Sequence, residues 1–177
     1  HKTSVASEKM LISALLRAKE LAAKGVELFA SPALRLFLCN KIEKDEFYKN
    51  PVCLDNFIQL DDNDIWTSLK VWCNHPDIVL STLSQGLVNR KLFKVEVLSS
   101  PISPTRKEEI LQKISQQLNI SKKEANYFFS TSLIENNMYR KEDDSIEILF
   151  NDGTTQNIAD ASDMLNISLL SRKVKKY

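Results

Sequence analysis

Helix start and stop signals are densest between Asp61 and Lys94, and this stretch constrains the fold more than any other part of the chain. An aspartate at 61 or 62 suits a helix N-cap, and apolar residues follow at helical spacing: Ile65, Trp66, Leu69 and Trp72. Asn74-His75-Pro76 interrupts that helix, and its proline suits the first turn of the next one. Gly86 suits the end of this second helix, because glycine adopts a positive φ without a steric penalty. The stretch predicts two short, consecutive helices.

The residues after the second helix follow a different period. Between Lys91 and Leu98, the apolar positions Phe93, Val95 and Val97 alternate with residues of the opposite face. A period of two is typical of a strand, so we predict one here.

Composition limits the classes of function. The 177 residues are 43% hydrophobic and 27% charged, as in a globular protein with its own core. The 24 basic and 23 acidic residues nearly cancel, so charge gives no argument for a nucleic-acid or membrane partner. No apolar run reaches the roughly 20 residues that span a membrane. Three cysteines without a C-x-x-C pair indicate reduced thiols in a cytoplasmic protein.

The chain before Asp61 has helical patterns. Residues 3–24 are amphipathic, with Arg17 among the charged residues of the solvent-facing side, and Gly25 follows as a C-cap. Ser31-Pro32 indicates the N-cap and first turn of a second helix, and Asn50-Pro51 breaks a turn-like segment. The stripe of the first helix that we expect to face the core consists of Leu11, Ala14, Leu15, Ala18, Leu21 and Ala22.

The pattern changes at the proline-rich segment 100–104, the best candidate for a domain boundary. Two segments then fit the S/T-x-x-E capping box, beginning at Thr105 and Ser121, and predict helices. Asn151-Asp152-Gly153-Thr154 is typical of a β-hairpin turn. The other elements predicted in this part are strands at Tyr127–Leu133, Ser145–Phe150 and Thr155–Ile158 and a final helix at Asp160–Leu170.

These patterns predict an α+β fold, in which a mainly helical front half is followed by a small α+β lobe with one antiparallel sheet. We place the helical region at residues 1–100 and the lobe at residues 101–177. In the lobe, helices are expected to cover one face of the sheet.

The residues themselves do not indicate a metal or catalytic site. His1 and His75 lie far apart, and neither belongs to an HD dipeptide or an H-x-x-x-H motif. Aspartates at a helix start, as in the segment 61–64, are more often caps than Mg²⁺ ligands, and His75 is more often a packing or capping residue. Cys73 lies near His75, but nothing else supports a thiol nucleophile there. Three glycines leave little room for a phosphate-binding loop.

The cations Arg90, Lys91 and Lys94 next to Phe93 have two interpretations. Such a group suits a phosphate with a stacked base, as in a nucleotide- or RNA-binding domain. Lysines also protect an exposed sheet edge, and on the residues alone this second interpretation is the stronger one. The near-zero net charge weakens the RNA version.

The order of three motifs resembles HD-domain phosphohydrolases. These are His1-Lys2, then Asp61-Asp62 with the W-x-N-H-P-D that follows, then Arg90-Lys91-Leu92-Phe93-Lys94. They resemble the region downstream of the catalytic core in the deoxynucleoside triphosphate triphosphohydrolase branch, especially bacterial members related to the vertebrate sterile-alpha-motif HD enzyme. The resemblance covers most of the first 100 residues and, more loosely, the small lobe.

The resemblance implies a divalent metal, such as Mg²⁺ or Mn²⁺, held by an H…HD…D set of two histidines and two aspartates. This sequence lacks that set, which in the family precedes the position of His1. The helical pattern also begins at His1 with no capping residue before it. We therefore expect the carboxy-terminal portion of such an enzyme, in which residues 1–100 complete an HD-type catalytic domain. The fragment alone would contain no catalytic residue and would be inactive.

The resemblance also nominates four residues. His1 and Lys2 would lie near the substrate at the start of the first helix. Arg90 and Lys94 match an arginine and a lysine that contact an activating nucleotide at a subunit interface in the vertebrate relative. The match is incomplete, because the family's active-site tyrosine and its further basic positions fall at Val5 and at Thr3, Ser7 and Glu8.

The sequence thus predicts part of a cytoplasmic, metal-dependent HD phosphohydrolase that hydrolyses (deoxy)nucleotide phosphates and forms homo-oligomers. Its nucleotide substrate would bind through the missing upstream half, and no membrane or nucleic-acid partner is expected. Two alternatives stay open: a non-catalytic oligomerisation or interaction module, and a nucleotide-binding regulatory domain. An upstream metal motif would favour the enzyme, and nucleotide-dependent association would favour the regulatory domain.

Overall fold

The computed structural model describes residues 2–132, 134–135, 147–157 and 175–176. Its contacts divide the chain into two units. The first consists of residues 1–96 and 103–130, and the second of residues 97–102 and 131–177. The segment 103–130, which the proline-rich boundary assigned to the lobe, therefore packs with the helical unit.

Helices make up most of the first unit. The last helix runs directly into a 3₁₀ turn at Asn126–Phe128. In chain order the helices are α1 (Lys2–Ala23), α2 (Pro32–Cys39), α3 (Lys44–Lys49), α4 (Pro51–Gln59), α5 (Asp62–Trp72), α6 (Ile78–Val88), α7 (Pro104–Leu118) and α8 (Lys122–Ala125). Among the described residues, no helix is long and apolar enough to cross a membrane.

The core of the first unit forms where α6 packs against both α1 and α5. Trp72 at the end of α5 is 1% exposed, and its indole N–H donates a hydrogen bond to the backbone oxygen of Phe29 at 3.0 Å. This bond satisfies the one polar group of a buried indole. The other fully buried apolar side chains include Met10, Ala14, Ala18, Leu69, Val79, Leu80 and Leu83.

Gly86 lies inside α6 and not at its end, so its predicted role as C-cap is wrong. A β-carbon at this position would lie 2.5 Å from the Cε of Met10 and 3.1 Å from the backbone oxygen of Lys91. The glycine therefore allows the close approach of α1 to α6. After the helix, Arg90 adopts the left-handed conformation, with φ 56°, that a glycine usually provides.

Several predicted helix caps are confirmed. Asp61 caps α5, and it forms a capping box in which the Asp64 carboxylate accepts the N–H of Asp61 at 2.9 Å. Gly25 ends α1 with φ 81°, and its N–H bonds back to the last turn of the helix. The serines predicted before α2 and α8 also cap them: Ser31 and Ser121.

Other helix starts differ from the prediction. Pro76, predicted in the first turn of α6, lies before the helix, because the side chain of Asp77 accepts the N–H of Leu80 and makes Asp77 the N-cap. For the same reason α7 starts after Ser103, and the capping box predicted at Thr105 is not used. Asn50-Pro51, predicted as a breaker, starts the helix α4.

The strand predicted at Lys91–Leu98 is wrong, since none of the strands in the described part of the chain includes these residues. A strand needs a neighbour whose backbone completes its hydrogen bonds. Here Phe93 donates its N–H to the Sδ of Met10 at 3.3 Å instead. Leu92 and Phe93 pack against the helical core. Some apolar residues of the alternating pattern therefore belong to a loop that contacts the core, and not to a strand.

Short antiparallel strand pairs make up the described part of the second unit. β1 (Ile134–Glu135) pairs with β4 (Lys175–Lys176), and β2 (Glu147–Leu149) pairs with β3 (Thr155–Asn157). The α+β class is thereby confirmed, and the antiparallel strands form two two-stranded sheets.

The hairpin of β2 and β3 uses the predicted Asp-Gly turn. Gly153 has φ 84°, a backbone conformation that favours glycine, and Phe150 donates its N–H to the Thr154 oxygen at 2.8 Å. By contrast, the strand predicted at Tyr127–Leu133 is wrong where it overlaps the 3₁₀ turn. The helix predicted at Asp160–Leu170 lies outside the described residues.

Candidate functional site

A polar cluster lies inside the first unit around Arg17, which the pattern of α1 had placed on the solvent-facing side. That placement is wrong, because Arg17 is 6% exposed. Its guanidinium donates two bonds to Asp77, from Nε at 3.1 Å and from Nη2 at 2.6 Å. It also donates to Glu20 at 3.1 Å and Glu124 at 2.9 Å, and it lies 5.6 Å from the ring centroid of Tyr127. We call these five residues the Arg17 cluster.

The hydrogen bonds of the cluster keep its carboxylates ionised. The pKa of Glu20 falls to about 2, because its carboxylate accepts bonds from Lys24 at 2.6 Å and from the Tyr127 hydroxyl at 2.5 Å. Burial and the bond to Glu20 raise the pKa of Tyr127 to about 12. Burial alone would raise the pKa of Asp77, but the bonds from Arg17 and from the backbone of α6 outweigh it and lower that pKa.

The Arg17 cluster connects elements and is not a reaction centre. A general acid or base works best with a pKa near the working pH, and the groups of this cluster are shifted away from neutrality. The Ser121 side chain and backbone hold the pKa of Glu124 below its usual range, and Asp77 raises the pKa of Arg17. The arginine therefore stays cationic and joins α1, the start of α6, α8 and the 3₁₀ turn.

Arg17 could have been found from the register of α1. The buried residues Met10, Ala14 and Leu21 repeat at steps of four and seven, and Arg17 lies three residues after Ala14 on that same stripe. A charge in the apolar register of a helix indicates a buried partner of opposite sign. The sequence does not name that partner, because Asp77 and Glu124 come from distant parts of the chain.

The residues considered as possible acids, thiols or metal ligands make contacts that are typical of structural roles. The side chain of Asn63 and the backbone of α5 lower the pKa of Asp61, consistent with its capping role. His75 accepts the N–H of Asp77 on Nδ1 at 3.0 Å, so it stabilises the turn before α6, whose N-cap is Asp77. Burial raises the pKa of Cys73, which disfavours a reactive thiolate.

The described residues do not supply a metal site. Among them, no three His, Cys, Asp or Glu side chains are placed to hold one ion. The divalent metal that the resemblance implies therefore does not fit the described part of this chain, because the oxygen and nitrogen ligands are not gathered anywhere in it.

The two nominated substrate-side residues lie at the start of the chain. His1 lies outside the described residues. Lys2 is the first residue of α1 and is exposed.

The two nominated nucleotide-side residues follow α6 and are exposed. Arg90 has no hydrogen bond or ion pair through its side chain within the described residues. Lys94 is 85% exposed, and its Nζ lies 3.0 Å from Glu96, which also accepts a bond from Arg106 at 2.6 Å. Within the described residues, Arg90 thus has no acidic partner, and Lys94 shares an exposed carboxylate.

An open cleft of about 630 Å³ lies beside the end of α5. It combines the half-exposed ring of Phe29 with the cation of Lys70 and the imidazole of His75. The remaining lining residues are Glu27, Val71, Trp72, Asn74 and Pro76. The lining of the cleft includes no serine, threonine or cysteine and none of the four nominated residues.

Comparison with known proteins relates the chain to part of a phosphohydrolase. No protein-family model and no curated protein matches it. Among solved structures, it is similar to the crystal structure of a phosphohydrolase from Bacteroides thetaiotaomicron VPI-5482, with 68% sequence identity and a TM-score of 0.85. The match covers 100% of this chain and 44% of that one. The chain therefore spans less than half the length of the phosphohydrolase that it matches.

Proposed function

We propose that these residues are the carboxy-terminal part of a cytoplasmic, metal-dependent HD-superfamily phosphohydrolase that hydrolyses (deoxy)nucleotide phosphates. The observation that carries this proposal is the 68% identity to a phosphohydrolase over this whole chain and 44% of that protein. The order of the motifs at His1-Lys2, Asp61-Asp62 and Arg90–Lys94 supports the HD branch and a nucleotide substrate.

In the proposed enzyme, the described residues act as a scaffold. They contain no ligand set for the metal, so the metal and the chemistry that it supplies belong to residues outside the described part. The contribution of this chain is to fix α1, whose inner side is held by Met10 against α6 and by Arg17 against Asp77. A helix fixed in this way would hold Lys2 at the edge of the substrate pocket.

The test uses the natural gene product that contains this sequence. We expect it to hydrolyse deoxynucleoside triphosphates with Mg²⁺ or Mn²⁺, and to lose that activity in excess EDTA. Anion-exchange chromatography would identify the P–O bond that water cleaves, because release of tripolyphosphate differs from release of orthophosphate. The 177-residue chain alone, under the same conditions, should release neither.

Each outcome decides a different part of the proposal. Hydrolysis that survives metal removal would contradict the metal-dependent HD assignment. Hydrolysis of other phosphate esters but of no nucleotide would remove the nucleotide substrate and leave the phosphohydrolase. Activity of the 177-residue chain alone would place the catalytic groups within it and contradict the scaffold role.

A second function, nucleotide-dependent assembly into a homo-oligomer, is favoured by the surroundings of Arg90 and Lys94. Both side chains are exposed, and Arg90 has no acidic partner within the described residues. An unpaired guanidinium next to a lysine suits a phosphate group, which could accept bonds from both. Phe93 is half-buried against the core and has its ring 6.2 Å from that of Phe128, so it is less available for stacking on a base.

The Arg90→Ala, Lys94→Ala double substitution tests this second function. Light scattering of the natural gene product, with and without added nucleoside triphosphate, should show a nucleotide-induced rise in mass in the wild type. The rise should be lost in the double variant. Lys70→Ala removes an exposed lysine elsewhere and should leave the rise unchanged. Equal masses with and without nucleotide in the wild type would remove this function.

A further inference from the structure

One side of α4 exposes an apolar surface that the described residues leave uncovered. Leu54, Phe57 and Ile58 follow each other at i, i+3 and i+4 spacing, so they lie on one side of the helix. Their exposed fractions are 47%, 55% and 72%. Tyr48, near the end of α3, is 77% exposed. We call these four residues the α4 face.

The α4 face extends beyond the contact that α4 makes with its own unit. The buried residue of α4 is Cys53, which is 2% exposed, while Leu54 and Ile58 lie further round the helix. The polar residues of α4 lie on the remaining side: Asp55, Asn56 and Gln59. A helix whose apolar stripe extends beyond its own core contact is typical of one that also packs against a second surface.

Aromatic contacts hold two of the four residues of the α4 face, Phe57 and Tyr48, in position before anything covers them. The ring of Phe57 meets Phe37 of α2 edge-on, with centroids 6.3 Å apart, and Phe47 of α3 with centroids 5.5 Å apart. Phe47 in turn meets the ring of Tyr48 edge-on at 6.1 Å. Rings held in this way have little side-chain freedom to lose when a second surface packs on them.

We propose that the α4 face packs against an apolar surface of another part of the same polypeptide, in a protein longer than these residues. The phosphohydrolase that matches this whole chain extends well beyond it, since only 44% of that protein is covered. The face contains no charged side chain, so its complement is apolar, as in a permanent contact. This proposal rests on the proposed function, which assumes the longer protein. It adds that the α4 face is a surface through which these residues contact the rest of that protein.

Two neighbouring substitutions in the natural gene product test this docking. Ile58→Asp places a charge on the α4 face, and Gln59→Asp places the same charge in the same helical turn on the polar side. If the face is covered, Ile58→Asp leaves an unpaired charge in an apolar contact and should lower the melting temperature by about 5 °C or more. Gln59→Asp should change it by about 1 °C or less.

The docking can also be tested in the wild type, where the result does not depend on whether a variant folds. Hydroxyl-radical labelling of Tyr48 in the native gene product should be several-fold lower than in the unfolded protein. Labelling close to the unfolded level would show that the ring is as exposed as it is in the isolated unit, and would overturn the docking. Equal melting temperatures for the two variants would overturn it as well.

Two further readouts identify the occupant and separate this docking from the proposed function. If Ile58→Asp halves the molecular mass by light scattering, a second copy covers the face, and the intramolecular docking is overturned. An unchanged mass with a lowered melting temperature supports it. If the wild-type gene product does not hydrolyse nucleotides, the proposed function alone is contradicted, because the labelling and melting measurements do not depend on activity.

Discussion

Arg17 and Arg90 lie in the same helical unit but in opposite surroundings. Arg17 is buried and donates to three carboxylates, while Arg90 is exposed and has no partner within the described residues. Arg17 lies in a regular helix, whereas Arg90 has a left-handed backbone. The difference shows that the surroundings decide what an arginine does, since a buried guanidinium joins helices and an exposed one makes no such contact within the described residues. Substitutions at the two places should therefore act on different properties.

The largest effect should come from Arg17→Ala. Removing the cation leaves Asp77, Glu20 and Glu124 close together without their shared donor. Loss of one partner from a buried ion cluster costs about 3–5 kcal/mol of unfolding free energy. Urea unfolding of both variants would measure the contrast, because Arg90→Ala should change the free energy by less than about 0.5 kcal/mol. A cost below about 1 kcal/mol for Arg17→Ala would show that the cluster contributes little.

Acid should weaken the Arg17 cluster next most strongly. The pKa of Glu20 is lowered from 4.5 to about 2 in the folded chain, so its stabilising effect is complete above pH 5 and is lost as the pH falls towards 2. The loss should reach about 2 kcal/mol, allowing for partial exposure to solvent. Glu20→Gln should flatten the unfolding free energy between pH 5 and pH 2, whereas Glu27→Gln, outside the cluster, should not. An unchanged slope in Glu20→Gln would contradict the assigned bonds.

Tyr127→Phe should have a smaller effect, because it removes one hydrogen bond and keeps the ring over Arg17. A bond to a charged acceptor contributes about 1.5–3 kcal/mol when its partner is left unsatisfied. Glu20 keeps Lys24 as a donor, so we expect about 1 kcal/mol. Thermal unfolding would measure it. Tyr48→Phe removes a hydroxyl from an exposed ring and should be neutral; an equal loss in both variants would rule out a specific bond to Glu20.

The smallest effect, with the opposite sign, is expected for Arg90→Gly. Glycine removes the steric strain of a non-glycine residue at φ 56°, which is worth about 1 kcal/mol. The same variant should lose nucleotide-dependent assembly, because the guanidinium is gone. Arg90→Ala is the matched control, since it removes the side-chain charge and keeps the strain. Stabilisation by both variants alike would show that charge repulsion, and not backbone strain, governs this position.

The local chemistry of helix and turn boundaries was predictable from the sequence. Asp61, Gly25 and Ser121 end or begin helices through bonds within a few residues, and the hairpin turn at Gly153 depends on its own φ. Such features need no knowledge of distant contacts. The α+β class follows from them, because helix caps dominate the first part and turn residues the last.

The features that the sequence did not predict depend on partners far away in the chain. Residues 91–98 alternate, but only the fold shows that no described strand lies beside them. Gly86 was predicted to end a helix, but the structure shows that it makes room for the side chain of Met10. Arg17 looked solvent-facing because two of its three acidic partners, Asp77 and Glu124, are distant in sequence. For the nominated sites, short motifs named Arg90 and Lys94 but not the exposure that makes them available.

The sequence separation within the Arg17 cluster has a consequence for folding kinetics. Arg17 and Glu124 are 107 residues apart, as are Glu20 and Tyr127. Closing a loop of that length is entropically costly, whereas single helices form in about a microsecond. During synthesis, Arg17 can pair with Glu20 and then with Asp77, but the cluster is complete only after the chain has passed Tyr127. We therefore expect the cluster to form after the transition state, so that substitutions in it speed unfolding more than they slow folding.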